Sequence, residues 1–170
     1  TDRCQFRCAY CMPADGVVKL RHEEMLTLEE LFEIVRVMVT RLGIRKVRVT
    51  GGEPLARRGA LEFMRSLHRI SGIEDLALTT NAYDLEPAAG TLRASGFRRI
   101  NISLDTLRRD RFLEITRCDG LDRVLRGIEA AREAGFDSIK INSVALQETL
   151  DEVLDLVAFG IAKGIQVRFI

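Results

Sequence analysis

Apolar residues along this chain follow two periods that take turns. Leu28, Leu31, Phe32, Val35, Val39 and Leu42 recur at helical spacing. Thr27, with Glu30 three residues on, forms a capping box that opens this helix, and Gly43 closes it. The period then drops to two, predicting a strand over 46–50 and a helix over 59–71. The same exchange predicts a strand over 76–80 and a helix over 86–95. A strand over 99–104 follows, with a short helix over 109–115 and a longer one over 121–134. A strand over 138–146, a helix over 148–163 and a strand over 165–170 complete the series. Strands that alternate with amphipathic helices predict βαβ units and a parallel sheet, and right-handed crossovers curl such units into an open sheet or a barrel.

The strands are unusual for that class. Parallel strands covered on both faces read as continuous apolar runs, whereas these alternate. Val47 and Val49 are interleaved with Arg48 and Thr50, and Leu76 and Leu78 lead to Thr79 and Asn81. Ile100, Ile102 and Leu104 are interleaved with Asn101, Ser103 and Asp105. Ile139 and Ile141 flank Lys140, with Asn142 beyond, and Ile165, Val167 and Phe169 flank Gln166 and Arg168. Because side chains alternate faces, one face of the sheet is expected to be apolar and helix-covered. The other is expected to be polar and, if the sheet curls, to line a lumen that is a site rather than a filled core.

Composition narrows the picture little. An apolar fraction of 46% and a charged fraction of 30% fit an ordinary globular domain, and 170 residues suffice for one. The net charge of +1 gives no reason to expect nucleic acid or an acidic membrane surface. No apolar run approaches a membrane span, and no signal peptide precedes the first cysteine. Arginine outnumbers lysine 22 to 4; its planar fork suits anions. Both ends look cut: a cysteine comes three residues after Thr1, and the chain stops within an expected strand. Residues 1–170 therefore read as one domain truncated at both ends.

Chemistry enters with Cys4, Cys8 and Cys11, spaced C-x3-C-x2-C. Three thiolates so close can hold three corners of an iron–sulfur cluster and leave the fourth iron open. A structural zinc wants four protein ligands; His22 or Cys118 could be recruited, but neither stands at a usual second-pair spacing. Three clustered cysteines in a chain with a large core favour a reducing, cytoplasmic compartment over disulfides.

Gly51–Gly52–Glu53–Pro54 follows a strand directly, where two glycines allow close backbone approach to a ligand at the C-terminal edge of the sheet. Arg48 and Lys140 are cations on strands that would otherwise be buried, so each needs a partner. That partner is either Asp105 or Glu53 in an internal ion pair, or an anionic substrate. His68, expected in a helix, and His22, expected in a loop, sit near no nucleophile pattern. Arg57 and Arg58 read as a solvated surface, and Cys118 as an incidental thiol.

The segment Thr1–Asp2–Arg3–Cys4–Gln5–Phe6–Arg7–Cys8–Ala9–Tyr10–Cys11–Met12–Pro13 resembles the cluster loop of the radical S-adenosylmethionine superfamily. More narrowly, it is similar to the GTP 3′,8-cyclase family of molybdenum cofactor biosynthesis. The likeness continues through Val47–Arg48–Val49–Thr50–Gly51–Gly52–Glu53–Pro54–Leu55, Leu78–Thr79–Thr80–Asn81 and Asn101–Ile102–Ser103–Leu104–Asp105. It holds again at Lys140–Ile141–Asn142 and Gln166–Val167–Arg168–Phe169–Ile170.

This resemblance implies a partial (βα)6 barrel whose first strand is missing. It implies a [4Fe–4S] cluster on Cys4, Cys8 and Cys11, with S-adenosylmethionine as second cofactor, contacted by Tyr10, Gly52 and Ser103. Arg48, Thr79 and Lys140 match contacts to GTP. The implied reaction is reductive cleavage of S-adenosylmethionine to a 5′-deoxyadenosyl radical. That radical takes the 3′-hydrogen of GTP, and C3′ then joins C8 of guanine. The implied partners are GTP and an electron donor such as flavodoxin or ferredoxin, with no nucleic acid and no membrane; a homodimer is left open. Ala82 departs from the family's usual glycine, and Arg117–Cys118 from its usual turn. A second [4Fe–4S] cluster, which binds the guanine end of GTP, is expected only in a longer protein, so this chain alone is not expected to be a competent cyclase. The alternative reading is another member of the superfamily acting on a peptide or small molecule; it keeps the cysteines but not the set Arg48, Thr79 and Lys140.

Overall fold

Five short strands lie side by side in chain order: β1 (Lys46–Val49), β2 (Asp75–Thr80), β3 (Phe97–Ser103), β4 (Ser138–Ser143) and β5 (Gln166–Phe169). Each is parallel to its neighbours. This computed structural model describes residues 2–18 and 21–170. The helices are α1 (Leu28–Leu42), α2 (Ala60–Leu67), α3 (Ala89–Ala94), α4 (Arg109–Thr116), α5 (Leu121–Glu133) and α6 (Val153–Lys163); parallel neighbours need crossovers, which α2 to α6 supply. α1 precedes β1, and α4 and α5 share the crossing from β3 to β4. Among the described residues β1 and β5 each pair on one side only, so the sheet is open. No helix among them is long and apolar enough to cross a membrane.

The expected faces form. The register aligns Leu78, Ile100 and Ile139 in one row and Ile102, Ile141 and Val167 in another. Met64, Leu67, Leu92, Val124 and Ile128 from the helices join Leu78, Ile100, Ile102 and Ile141 in one buried core, with Ile139 and Val167 partly buried against it. The opposite face carries the polar rows. Arg48 aligns with Ala77, Arg99 and Ser138; Thr79 with Asn101, Lys140 and Gln166; Ser103 with Asn142 and Arg168.

The capping box holds at α1. The Thr27 hydroxyl accepts from the Glu30 amide at 3.1 Å, and the Glu30 carboxylate accepts from the Thr27 amide at 2.8 Å. Gly43 ends the helix at φ 70°, a left-handed conformation that glycine adopts without penalty.

Several boundaries differ from the periodicity. α3 starts at Ala89 rather than 86 because Pro87 has no amide to donate and disfavours helix at Glu86, so residues 83–88 form turns. α2 stops at Leu67, where the chain tightens into i→i+3 bonds from Arg69 to Ser66 and Ile70 to Leu67. β4 ends at Ser143 because the next amide, of Val144, turns to the Asp105 carboxylate at 2.8 Å. A 3-10 helix, Gln147–Glu152, stands where the helix over 148–163 was expected to begin.

Ala82, where glycine was the family expectation, is fully buried with φ 61°. α5 approaches it closely: a Cβ on Gly127 would lie 2.4 Å from the Ala82 carbonyl oxygen and 3.2 Å from Leu85 Cβ. Gly127→Ala should therefore cost about 2 kcal/mol, the overpacking strain outweighing the helical gain of alanine. In a chain of this size that lowers Tm by about 4–8 °C, which calorimetry would read. An unchanged Tm would show that helix and turn move apart freely.

Candidate functional site

Three segments meet at the C-terminal edge of the sheet: the cysteine loop, the turn after β2 and the turn after β3. The loop has little regular structure of its own and is held by backbone bonds to the end of α4, Arg7 N to Thr116 O (2.8 Å) and Ala9 N to Ile115 O (2.9 Å). Arg117, left-handed at φ 55° as the C-cap of α4, donates its guanidinium to the Arg7 carbonyl at 2.6 Å. Arg7 donates in turn to the carbonyls of Cys4 (2.7 Å) and Phe6 (2.9 Å). Phe6 anchors the loop in the core, edge-on to Tyr83 and Phe112.

All four cysteines are free thiols. Cys4 and Cys8 are half-buried and Cys11 is exposed. Burial, then the nearby Asp105, Cys4 and Cys11, push the Cys8 thiol up to about 12. The Cys4 thiol is raised as well, mainly by burial. Cys4 and Cys11 thus lie close enough to oppose the ionisation of Cys8. The three loop thiols do not converge on a point, however: among the described residues no three His, Cys, Asp or Glu side chains could hold a single metal ion. Cys4 and Cys8 line different cavities, Cys8 one shared with Tyr10, Ser103 and Asp105. Cys118 lies apart, and the side chain of His22 is outside the described residues.

Tyr10 and Ser103 are therefore brought together with Cys8, whereas Gly52 lies on the exposed turn after β1 and does not line that cavity. The Tyr10 hydroxyl donates to Asp105 at 2.6 Å, and burial raises both groups' pKa values. Arg48 and Lys140 line one small cavity on the polar face, together with Arg99, Asn101 and Arg168. Thr79 sits one row nearer the cysteines than Arg48 and faces Asn101, whose side-chain amide donates to it at 3.5 Å.

The internal ion pairs considered for Arg48 and Lys140 do not form. Asp105 is taken by Tyr10 and the Val144 amide. Glu53, 0% exposed, accepts from the Thr80 hydroxyl (2.8 Å), the Asn81 amide (2.6 Å) and the Leu55 amide (3.0 Å). Arg99 pairs with Asp75, and the Arg168 guanidinium donates to the Asn142 side-chain oxygen at 2.9 Å. Arg48 and Lys140 have no carboxylate partner among the described residues. Arg57, read as solvated, donates to the Leu26 carbonyl at 2.5 Å.

Sequence reasoning named Asn81 and Arg168 among the polar positions but assigned neither a role in the site, and it left Arg99 unremarked. The period-two alternation contained the signal for the two arginines. Asn81 follows its strand immediately, and only the fold reveals its neighbour, Cys4.

The sequence profile of the Radical SAM superfamily matches residues 1–160. Among curated proteins, the GTP 3′,8-cyclase of Ectopseudomonas mendocina is 50% identical over 171 residues, covering 100% of this chain and 51% of that protein. The GTP 3′,8-cyclase of Geobacter sulfurreducens is also 50% identical, again over the whole chain and 52% of the relative. The chain thus spans about half the length of the curated relatives it matches. Among solved structures, Streptococcus suis SuiB bound to S-adenosylmethionine superposes with a TM-score of 0.79 at 22% identity, over 99% of this chain and 37% of that one. Native anSMEcpe with bound AdoMet gives 0.73 at 22%, over 100% and 49%. These two likenesses establish the fold.

Proposed function

The chain belongs to the radical SAM superfamily, and from that premise we propose that it is the core of a GTP 3′,8-cyclase, carrying the cluster loop and part of the GTP site. The observation that carries this reading is the arrangement of the polar face. Thiols stand at one end of it, and two cations without a carboxylate partner stand further in. The rows of Ser103 and Arg48 are four residues apart in register, about 13 Å along the strands. A nucleoside triphosphate laid along this face would have its sugar toward the thiols and its phosphates toward Arg48 and Lys140, the charge match a triphosphate requires.

Cys4, Cys8 and Cys11 would hold a [4Fe–4S] cluster. The donor set fits it: three free thiols share one short loop, and a multi-iron cluster binds each thiolate to a different iron rather than drawing all three to one point. When bound, such a cluster with S-adenosylmethionine supplies a 5′-deoxyadenosyl radical that takes the 3′-hydrogen of GTP. The residues of this chain orient and shield. Tyr10, fixed by Asp105, and Ser103 would border S-adenosylmethionine from the Cys8 side, and Gly52 would present its backbone from the turn after β1. Thr79, in register with Lys140, would contact GTP between Arg48 and the cysteine edge. The second [4Fe–4S] cluster that the family resemblance implies would lie outside these residues. Reduction by a flavodoxin- or ferredoxin-type donor and a cytoplasmic location suit four free thiols.

Lys140→Ala should weaken GTP binding by about 10–100-fold, the worth of a charge-assisted phosphate contact. Binding of S-adenosylmethionine to the reconstituted protein should stay unchanged. Equilibrium dialysis with both ligands decides it. GTP affinity equal to that of the parent would sink the cyclase reading and favour a superfamily member acting on a different substrate.

A further inference from the structure

Asn81 is the only side chain outside the cysteine loop that the described hydrogen bonds bring onto a loop thiol. Its Nδ2 lies 3.6 Å from Cys4 Sγ, within reach of an N–H···S hydrogen bond, and 3.4 Å from Gln5 Oε1. The network fixes the orientation of the side-chain amide: Asn81 Oδ1 accepts the Tyr83 amide at 2.9 Å, so the nitrogen faces Cys4. The backbone is equally fixed, since the Asn81 amide donates to the fully buried Glu53 carboxylate at 2.6 Å. The side chain is itself buried and enters from the turn after β2, so its aim does not depend on the cysteine loop's own conformation.

We propose that Asn81 is a positioning residue that donates a hydrogen bond to the Cys4 sulfur and thereby raises the reduction potential of the cluster bound there. This rests on the reading that Cys4, Cys8 and Cys11 hold a cluster. A donor on a ligating sulfur stabilises the state with more negative charge, which is the reduced one, and hydrogen bonds to sulfur are among the groups that set cluster potentials.

The test compares the parent chain with Asn81→Ser and Asn81→Asp, each reconstituted anaerobically with iron and sulfide. Serine can still accept the Tyr83 amide but is too short to reach Cys4. Aspartate keeps the shape and replaces the donor with an acceptor. Both should bind as much iron as the parent. Redox titration followed by electron paramagnetic resonance should show the one-electron reduction constant lowered about tenfold in Asn81→Ser, or about 59 mV, and further in Asn81→Asp. A potential unchanged in Asn81→Ser overturns the proposal. So does loss of iron from a still-folded Asn81→Ser chain, which would make Asn81 a requirement for binding rather than a tuner. Failure of the underlying reading looks different: the parent itself would take up no iron.

Discussion

Cys8→Ser should reduce the iron retained after anaerobic reconstitution from about four per chain to a small residue, and the visible charge-transfer absorption should vanish with it. A hydroxyl at this position is a far poorer donor to iron than a thiolate, and Cys8 is the central member of the triplet. Burial first, and then its neighbours Asp105, Cys4 and Cys11, raise its thiol above the ordinary value, so it is protonated at neutral pH in the metal-free chain. The sign of the pH effect follows. With the thiol pushed up to about 12, cluster uptake must displace its proton, so uptake should strengthen as pH rises and weaken toward pH 6. Cys118→Ser supplies the control: that thiol lies by Tyr83 and Arg123 and should leave iron content unchanged. Iron content equal in Cys8→Ser and the parent would refute the cluster assignment, whereas equal loss in both variants would point to a general collapse of the chain.

Alternation and turn chemistry made the architecture legible because both are local. A period of two in five strands required one wet face, and the register puts Arg48, Thr79, Asn101, Lys140 and Arg168 on it. The capping box and Gly43 set both ends of α1 for the same reason. Boundaries were less legible where distant groups intervene. β4 stops because Asp105, 39 residues away, takes the Val144 amide, and no window of sequence contains that bond. The candidate site divides along the same line. Its cysteines announce themselves by spacing, but the destinations of Glu53 and Asp105 were open between ion pairing and other bonds. Backbone amides and hydroxyls took them instead, leaving the two cations on the polar face without a carboxylate partner.

Glu53 carries the largest expected effect on stability. Its carboxylate is 0% exposed and is the acceptor for three donors on two segments: Leu55 N on its own turn, Thr80 Oγ1 at the end of β2, and Asn81 N just beyond. Its own amide donates to the Arg3 carbonyl at 2.7 Å, tying the turn after β1 to the cysteine loop. Glu53→Ala strands these donors in a site closed to water, at about 1–3 kcal/mol each and less than additively. A net loss of about 4 kcal/mol is expected, roughly 8–16 °C in Tm for a domain of this size. Urea unfolding would read it, and a loss below about 1 kcal/mol would mean that water satisfies the stranded donors. Titration separates charge from shape. Burial raises the Glu53 pKa above the ordinary 4.5 despite its three donors, so the folded state holds this proton more tightly than the unfolded chain. Its contribution is therefore complete below pH 4.5 and is lost as pH rises through the folded pKa. Glu53→Gln, which cannot titrate, lacks that slope, so the stability gap between parent and Glu53→Gln should narrow as pH rises from 4.5. A gap that widens instead would show that the three donors outweigh desolvation. Glu53 would then act as a pre-ionised anchor that holds Asn81 against Cys4 at every working pH.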